Sequence, residues 1–432
     1  MALNKNFFAL TYLVLLSISI YTPRFGVLDK MAIQYFLISI VNIYAIIGLL
    51  VLYKKDFISK PFKHPLVLVS MGYVAIAALS MIKSINVVES LVELSHLVTI
   101  SITIVLLIFL TYERLIKTNH ILIILLITLI IDIFFSLGQY IPYVINNIPY
   151  SIEDNWRLVG LYGNRNITAT TIAFRIPLII LLAFRLKNNY LHFLVLSIST
   201  VGFFNILLLS SRAAYLSIII CILICLVVSI YKYFRDNRNI LFVNRYILLL
   251  YILPSIIAYF MSIKAIDPGA QGGNVADRIS TISSTNDSSK NTRLRYYMQS
   301  LTHISKNPLL GAGIGNWKIL SIKYDSKNIV NYVIPYNAHN DILEATAETG
   351  IFGGILFLSF FLIILYYLFE LLRKNILSHD DYLPSVLLIL TFVVYFIDLN
   401  LNFPSSRPAN LYFLLMFMCL VLNYKEEIDE KK

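Results

Sequence analysis

Charge is what this sequence has least of. Only 14% of its 432 residues are charged, 58% are hydrophobic, and mean hydropathy is +0.76. A soluble domain of that length needs more charge to cover its surface, so the chain is an integral membrane protein. Cysteine is scarce as well: Cys221, Cys225 and Cys419 all fall inside apolar runs. Cys221 and Cys225 are one helical turn apart but lack histidine or carboxylate neighbours, so they make no metal site. No tandem repeat and no low-complexity linker occurs along the chain. The first apolar run, Phe7 to Tyr21, has no small-residue cleavage site after it and reads as a retained span rather than a signal peptide.

What is there is a series of apolar runs, each about 20 residues long, the length that crosses a hydrocarbon core of roughly 30 Å. They fall at 7–21, 31–53, 65–82, 91–112, 120–144, 166–184, 190–209, 212–231, 243–263, 349–371, 383–401 and 409–424. Helices are the spanning element for runs this apolar, which predicts an all-α membrane protein of about 12 transmembrane helices. Three parts follow: a nine-span bundle over 1–263, a large loop over 264–340, and three spans with a short tail over 341–432. With the N-terminus inside, eighteen of the 35 basic residues lie on the cytoplasmic side, many in "KKDFISKPFK" (54–63) and "KYFRDNR" (232–238). The short outer loops hold seven, so both termini are expected inside and the 264–340 loop outside. That bias also accounts for most of the net charge of +11, so no nucleic-acid partner is expected.

The outer side gathers the polar residues that a helix bundle avoids. The first part of the loop, "AIDPGAQGGNVADRISTISSTNDSSKNT", reads as flexible. From Arg293, "RLRYYMQSLTHISKNP" places apolar or aromatic residues at 294, 297, 298, 301 and 304, which predicts an amphipathic helix over 293–305 at the outer membrane surface. "PLLGAGIGNW" follows, and its alternating glycines read as a tight turn rather than a phosphate cradle. Arg212 sits in "LLLSSRAAYLS" with almost no loop around it, His339 in "YNAHNDILEATAETG" before a span. A lone arginine at an interface commonly snorkels, and a lone histidine is commonly structural. Their shared side of the membrane is what gives them weight. Guanidinium forks suit phosphate oxygens, and imidazole accepts a proton near neutral pH. A reaction that expels pyrophosphate and deprotonates a hydroxyl uses both. No DxD motif appears in the outer loops and the acidic residues there lack a magnesium pattern. Leaving-group charge is therefore expected to be met by arginine, with no metal and no cofactor.

Four stretches carry a resemblance: "GLYGNRNITAT" (160–170), "SSRAAYLS" (210–217), "TRLRYYMQSLTHISKNPLLGAGIGNW" (292–317) and "AHNDILEATAETGIFGG" (338–354). In that order the chain resembles the O-antigen ligase and O-antigen polymerase superfamily of bacterial inner membranes. The resemblance implies a membrane-embedded bundle of the kind found in GT-C-type glycosyltransferases, with a cavity facing the periplasm. It implies a glycan donor on undecaprenyl pyrophosphate and a hydroxyl acceptor, either lipid A–core or another glycan, amid membrane lipids. Arg212 is implied to contact the donor pyrophosphate, Arg293 belongs to the same set, and His339 is implied to be the base or the acceptor-orienting residue. Asn340, Glu344, Asn166 and Tyr297 are implied to line the cavity, Tyr297 standing where tryptophan is more usual. Arg295 has no implied role. Glu89 and Glu93, one turn apart with His96 beyond, read as an interfacial face in preference to a second polar contribution to the cavity.

Ligases, polymerases and protein O-glycosyltransferases share this donor chemistry, and the motif layout favours the ligase. A transporter or flippase for a lipid-linked glycan is the rival from another class. It lacks support from any repeat relating the two halves or from paired Gly/Pro-broken spans.

Overall fold

A computed structural model describes residues 5–430 apart from 24–25, 27–28, 54–60, 236–245, 268–274, 281–287, 330–333 and 378–381. Most of the basic stretch 54–63, the end of 232–238 and much of the first part of the outer loop lie outside the described residues. The described chain is helical almost throughout, as an apolar environment requires when no water is present to satisfy backbone N–H and C=O groups. Among the described residues, ten helices are long and apolar enough to cross a membrane. Two further helices occupy the remaining expected spans, Lys5–Ile20 with 16 residues and Pro408–Asp429 with 22.

Several boundaries differ from the hydropathy reading, and three of these differences are instructive. The fifth span is expected to reach residue 144, but its helix Thr118–Gly138 ends six residues earlier, and a short helix Ile141–Ile145 follows with Pro142 in its first turn. The apolar run "IPYVI" hides a break that proline makes. The helix expected over 293–305 begins earlier, as Ser288–Lys306. The tenth span starts before its apolar run: Asp341–Leu377 is drawn as one helix but kinks at Gly350, where φ 78° and ψ 179° are not helical.

The chain forms two compact units. The first comprises Met1–Ile121, Ser288–Tyr367 and Leu399–Lys432. Its core links several polar side chains from different helices. Tyr12 donates to Asn42 at 2.9 Å, and the Asn42 amide donates to the Thr99 carbonyl and to Thr103. The helix Ser288–Lys306 packs on Trp317–Asp325 in this unit, and Arg295 grips Asp325 through two hydrogen bonds of 2.7 and 3.2 Å. Buried Tyr296, Ser300 and His303 face inward on that helix, whereas Leu294, Met298 and Leu301 form an exposed apolar stripe.

The second unit comprises Leu122–Asp287 and Leu368–Asp398. Its central helix Arg165–Leu186 is buried along nearly its whole length and packs on Asn189–Leu209 and Arg212–Arg235. An ion pair between Asp132 and Arg175 lies fully buried in it, and Tyr162 donates to the same carboxylate at 2.5 Å. A charge inside a span requires such a partner. The connection after the fifth span joins the start of the 264–340 loop through Asp267 N–H, which donates to the Tyr150 carbonyl at 2.9 Å.

Candidate functional site

His339 lies in the first unit, in the short turn that leads into the Asp341 helix. Its φ is +57°, a left-handed conformation uncommon for a side chain with a Cβ. The residues on either side hold it there. Upstream, the Ala338 N–H donates to the Glu344 carboxylate at 2.6 Å, and the Asn337 amide donates to its other oxygen at 3.2 Å. Downstream, Asn340 caps the helix by accepting from Leu343 N–H at 3.0 Å. The Asn340 amide also donates to the Asn400 side chain at 3.2 Å. Tyr297 shares its hydroxyl between the carbonyls of His339 and Asn400, at 3.0 and 2.6 Å.

The imidazole itself sits between aromatic rings, 6.0 Å from Tyr296 in near-parallel contact and 5.2 Å from Phe403 edge to face. Its ring hydrogen-bonds the Leu401 backbone, while Nδ1 is buried with no hydrogen-bond partner. Burial pushes the His339 pKa down, the nearby Arg293 guanidinium pushes the same way, and together they bring it to about 4 despite the Leu401 bond. The ring is thus neutral at pH 7 and keeps a lone pair available. Arg293 reaches the Asn402 side chain at 3.5 Å from the opposite end of the same helix turn as Tyr297. Five of the sequence-derived site residues, His339, Arg293, Tyr297, Asn340 and Glu344, therefore share one neighbourhood in this unit.

The glycine-rich turn is a docking device. The Ala312 and Gly313 N–H groups donate to the carbonyls of Ala347 and Glu348, each at 2.9 Å, and Ile351 N–H donates to the Pro308 carbonyl at 2.8 Å. Ile314 N–H and Asn316 attach the turn's other side to Ser80, Asn86 and Ser90. Backbones meet so closely that a Cβ on Gly311 would fall 2.3 Å from the Ala347 oxygen. Glu348 closes the arrangement by accepting from Trp317 N–H at 2.9 Å. Its place two turns into the helix that begins at Asp341 gives no sign of a contact with a segment about thirty residues earlier.

Glu89 and Glu93 are both paired. Glu89 pairs with Lys318 at 2.5 Å, Glu93 meets His96 at 3.3 Å, and His96 stacks on Tyr35 with ring centroids 3.8 Å apart. Glu93 and His96 also line a cavity of about 120 Å³ whose other walls include Tyr73, Phe357 and Phe361. Among the described residues, no group of three or more His, Cys, Asp or Glu side chains forms a metal-ligand set.

Arg212 and Asn166 belong to the second unit. Ser210, at φ 52°, turns the chain between two spans, and Arg212 opens the helix Arg212–Arg235. A cation there works against the helix dipole, which favours negative charge at an N-terminus. Asn166 lies in the first turn of Arg165–Leu186, where Asn164 accepts from its N–H at 2.9 Å. It lines an open polar cavity of about 590 Å³ together with Arg165 and Arg278, neither of which the sequence reading singled out. Arg165 was legible as the neighbour of Asn166 in "GNRN"; Arg278, on the short helix Val275–Ser280, was not.

Residues 195–358 match the protein family described as O-antigen ligase. The match spans the loop and both motif stretches around it, and it supports the O-antigen ligase and polymerase superfamily. No curated protein matches the chain.

Proposed function

From an O-antigen ligase or polymerase type of membrane glycosyltransferase as premise, we propose a specific reaction. The donor is a glycan on undecaprenyl pyrophosphate, and the acceptor is a hydroxyl on lipid A–core, presented at the periplasmic face of the bacterial inner membrane. The observation that supports it most is the neutral, half-buried His339, whose buried Nδ1 has no hydrogen-bond partner, beside the Arg293 guanidinium.

The chemistry follows from those two groups. The acceptor hydroxyl attacks the anomeric carbon of the donor sugar, the bond from that carbon to the pyrophosphate oxygen breaks, and pyrophosphate leaves with the electron pair. His339 Nδ1 takes the hydroxyl proton as attack proceeds. Arg293 meets the charge that grows on the leaving oxygens, and its fork fits them better than an ammonium. Glu344, Asn340 and Tyr297 act through His339, fixing the left-handed turn that aims it. Arg212 is assigned to the pyrophosphate by resemblance alone, and Asn166 to cavity lining on the same ground. Without a metal ligand in this scheme, transfer persists in excess EDTA.

The test is transfer from a defined polyprenyl-pyrophosphate glycan, normalised to folded protein. Arg293→Lys keeps the charge and loses the fork, and a rate at least about tenfold lower is expected, in line with a charge-assisted hydrogen bond of about 1.5–3 kcal/mol. A rate equal to wild type removes Arg293 from the reaction. Arg295→Ala is the milder comparison, since Arg295 is engaged with Asp325 and acts on helix packing. Three acceptors run in parallel decide the branch: lipid A–core for a ligase, a second repeat unit for a polymerase, a protein for an O-glycosyltransferase.

A further inference from the structure

The polar cavity of the second unit holds a set of groups that the transfer scheme does not use. Arg165 and Arg278 line it, and so does Asn155, which is 2% exposed and whose side-chain Nδ2 has no hydrogen-bond partner. A buried amide N–H left unmatched costs about 1–3 kcal/mol, and such a donor facing a cavity is completed by an acceptor that enters it. The Asn164 side-chain oxygen beside it is already engaged, accepting from the Asn166 and Ile167 N–H groups. Among the described residues, Glu153 is the one acidic side chain lining the same space. Trp156 stands on its rim, 64% exposed, with the Arg157 guanidinium 5.0 Å from its ring.

Two guanidinium groups and one carboxylate leave a single net positive charge. A polyanion such as bare pyrophosphate would be opposed by Glu153. A ligand with one carboxylate and several hydroxyls matches every wall: the carboxylate goes to the arginines and Asn155, the hydroxyls to Glu153 and the asparagines. An exposed indole stacks against the apolar face of a pyranose ring. A volume of about 590 Å³ admits two sugar units rather than one small ion. We propose that this cavity is a binding subsite for an acidic saccharide, of the uronic acid class, recognised by Arg165, Arg278 and Asn155. The choice of a glycan over another hydroxylated acid rests on the transferase reading above; the charge and donor arrangement does not.

Binding is measured without turnover, so that the two readings fail separately. Purified full-length protein in detergent is titrated with digalacturonate, with neutral galactobiose and with inorganic pyrophosphate, by isothermal calorimetry and by tryptophan fluorescence. Trp156→Phe identifies the share of the fluorescence signal that comes from the rim, since Trp317 is the other tryptophan. Saturable digalacturonate binding is expected, weakened about 10–100-fold in Arg278→Gln and in Arg165→Gln, as the loss of a charged hydrogen-bond partner implies. Both variants are checked for monodispersity, and Arg278 lies on a partly exposed short helix where glutamine is easily accommodated. Equal affinity for galactobiose, tighter binding of pyrophosphate, or an unchanged Kd in both variants overturns the proposal. Lost transfer in Arg293→Lys with digalacturonate binding intact leaves it standing.

Discussion

Replacing His339 with alanine is expected to lower glycan transfer by about 10²–10⁴-fold, the range for loss of a general base. The side chain is held by burial, by two aromatic rings and by the Leu401 backbone, so alanine also removes packing. His339→Asn separates the two effects, because asparagine tolerates the left-handed φ of +57° and supplies no basic nitrogen. Both variants should be equally inactive if the proton acceptor matters. The pH dependence is a second readout. In the free protein the His339 pKa is pushed down to about 4 by burial and then by Arg293, so the acidic limb of kcat/KM should fall near pH 4 rather than 6.5. A bound pyrophosphate would offset the Arg293 charge, and the limb in kcat should then move to higher pH. Stability follows the same sign. The folded pKa lies below the unfolded one, so the neutral ring favours the folded state above pH 6.5, and this contribution is lost as pH falls from 6.5 toward 4. Thermal unfolding of His339→Asn should lack that slope. Wild-type rates in both His339→Ala and Arg293→Lys would make the transport reading the better one.

Gly350→Ala is expected to cost about 2–6 kcal/mol, the sum of backbone strain and overpacking. The kink places φ at +78° and ψ at 179°, a region essentially open to glycine alone. Space is closed as well: an alanine Cβ would lie 2.1 Å from the Leu309 carbonyl oxygen. Relief requires the glycine-rich turn to lift from the helix, which breaks the hydrogen bonds to Ala347 and Glu348. Gly311→Ala opens the same contact from the other side, so the double variant should lose less than the sum of the two. The measurement is the thermal midpoint in detergent, with transfer activity beside it. A midpoint unchanged in Gly350→Ala would mean that the turn is not docked where it is described.

The spans were legible because long apolar runs have one solution in a membrane. Their ends were less so, and the fifth shows why. Hydropathy continues through "IPYVI", while Pro142 carries the opposite signal in a single residue. Asp132 was visible as an acid inside an apolar run and Arg175 as a base in another. That they pair with each other is a fact of tertiary packing. In the candidate site, His339, Arg293 and Tyr297 could be read from motifs that are continuous in sequence. Asn400, Asn402 and Phe403 could not, because they arrive from the end of another span 60 residues or more away. The glycines announced a tight turn, but which backbone they approach is set by the fold.

The segment from Asp341 to the Gly350 kink spans roughly 13 Å at 1.5 Å per residue. At its far end the glycine-rich turn is fastened to Ala347 and Glu348, and at its near end Glu344 reaches back to the turn that carries His339. The two attachments behave like teeth cut on one shaft, and their angular phase is set by a residue count. One added residue between them would swing the imidazole by about 100° around the axis, while four would nearly restore its direction and displace it by about 6 Å. Where the histidine points is therefore a matter of helix length as much as of the side chains around it.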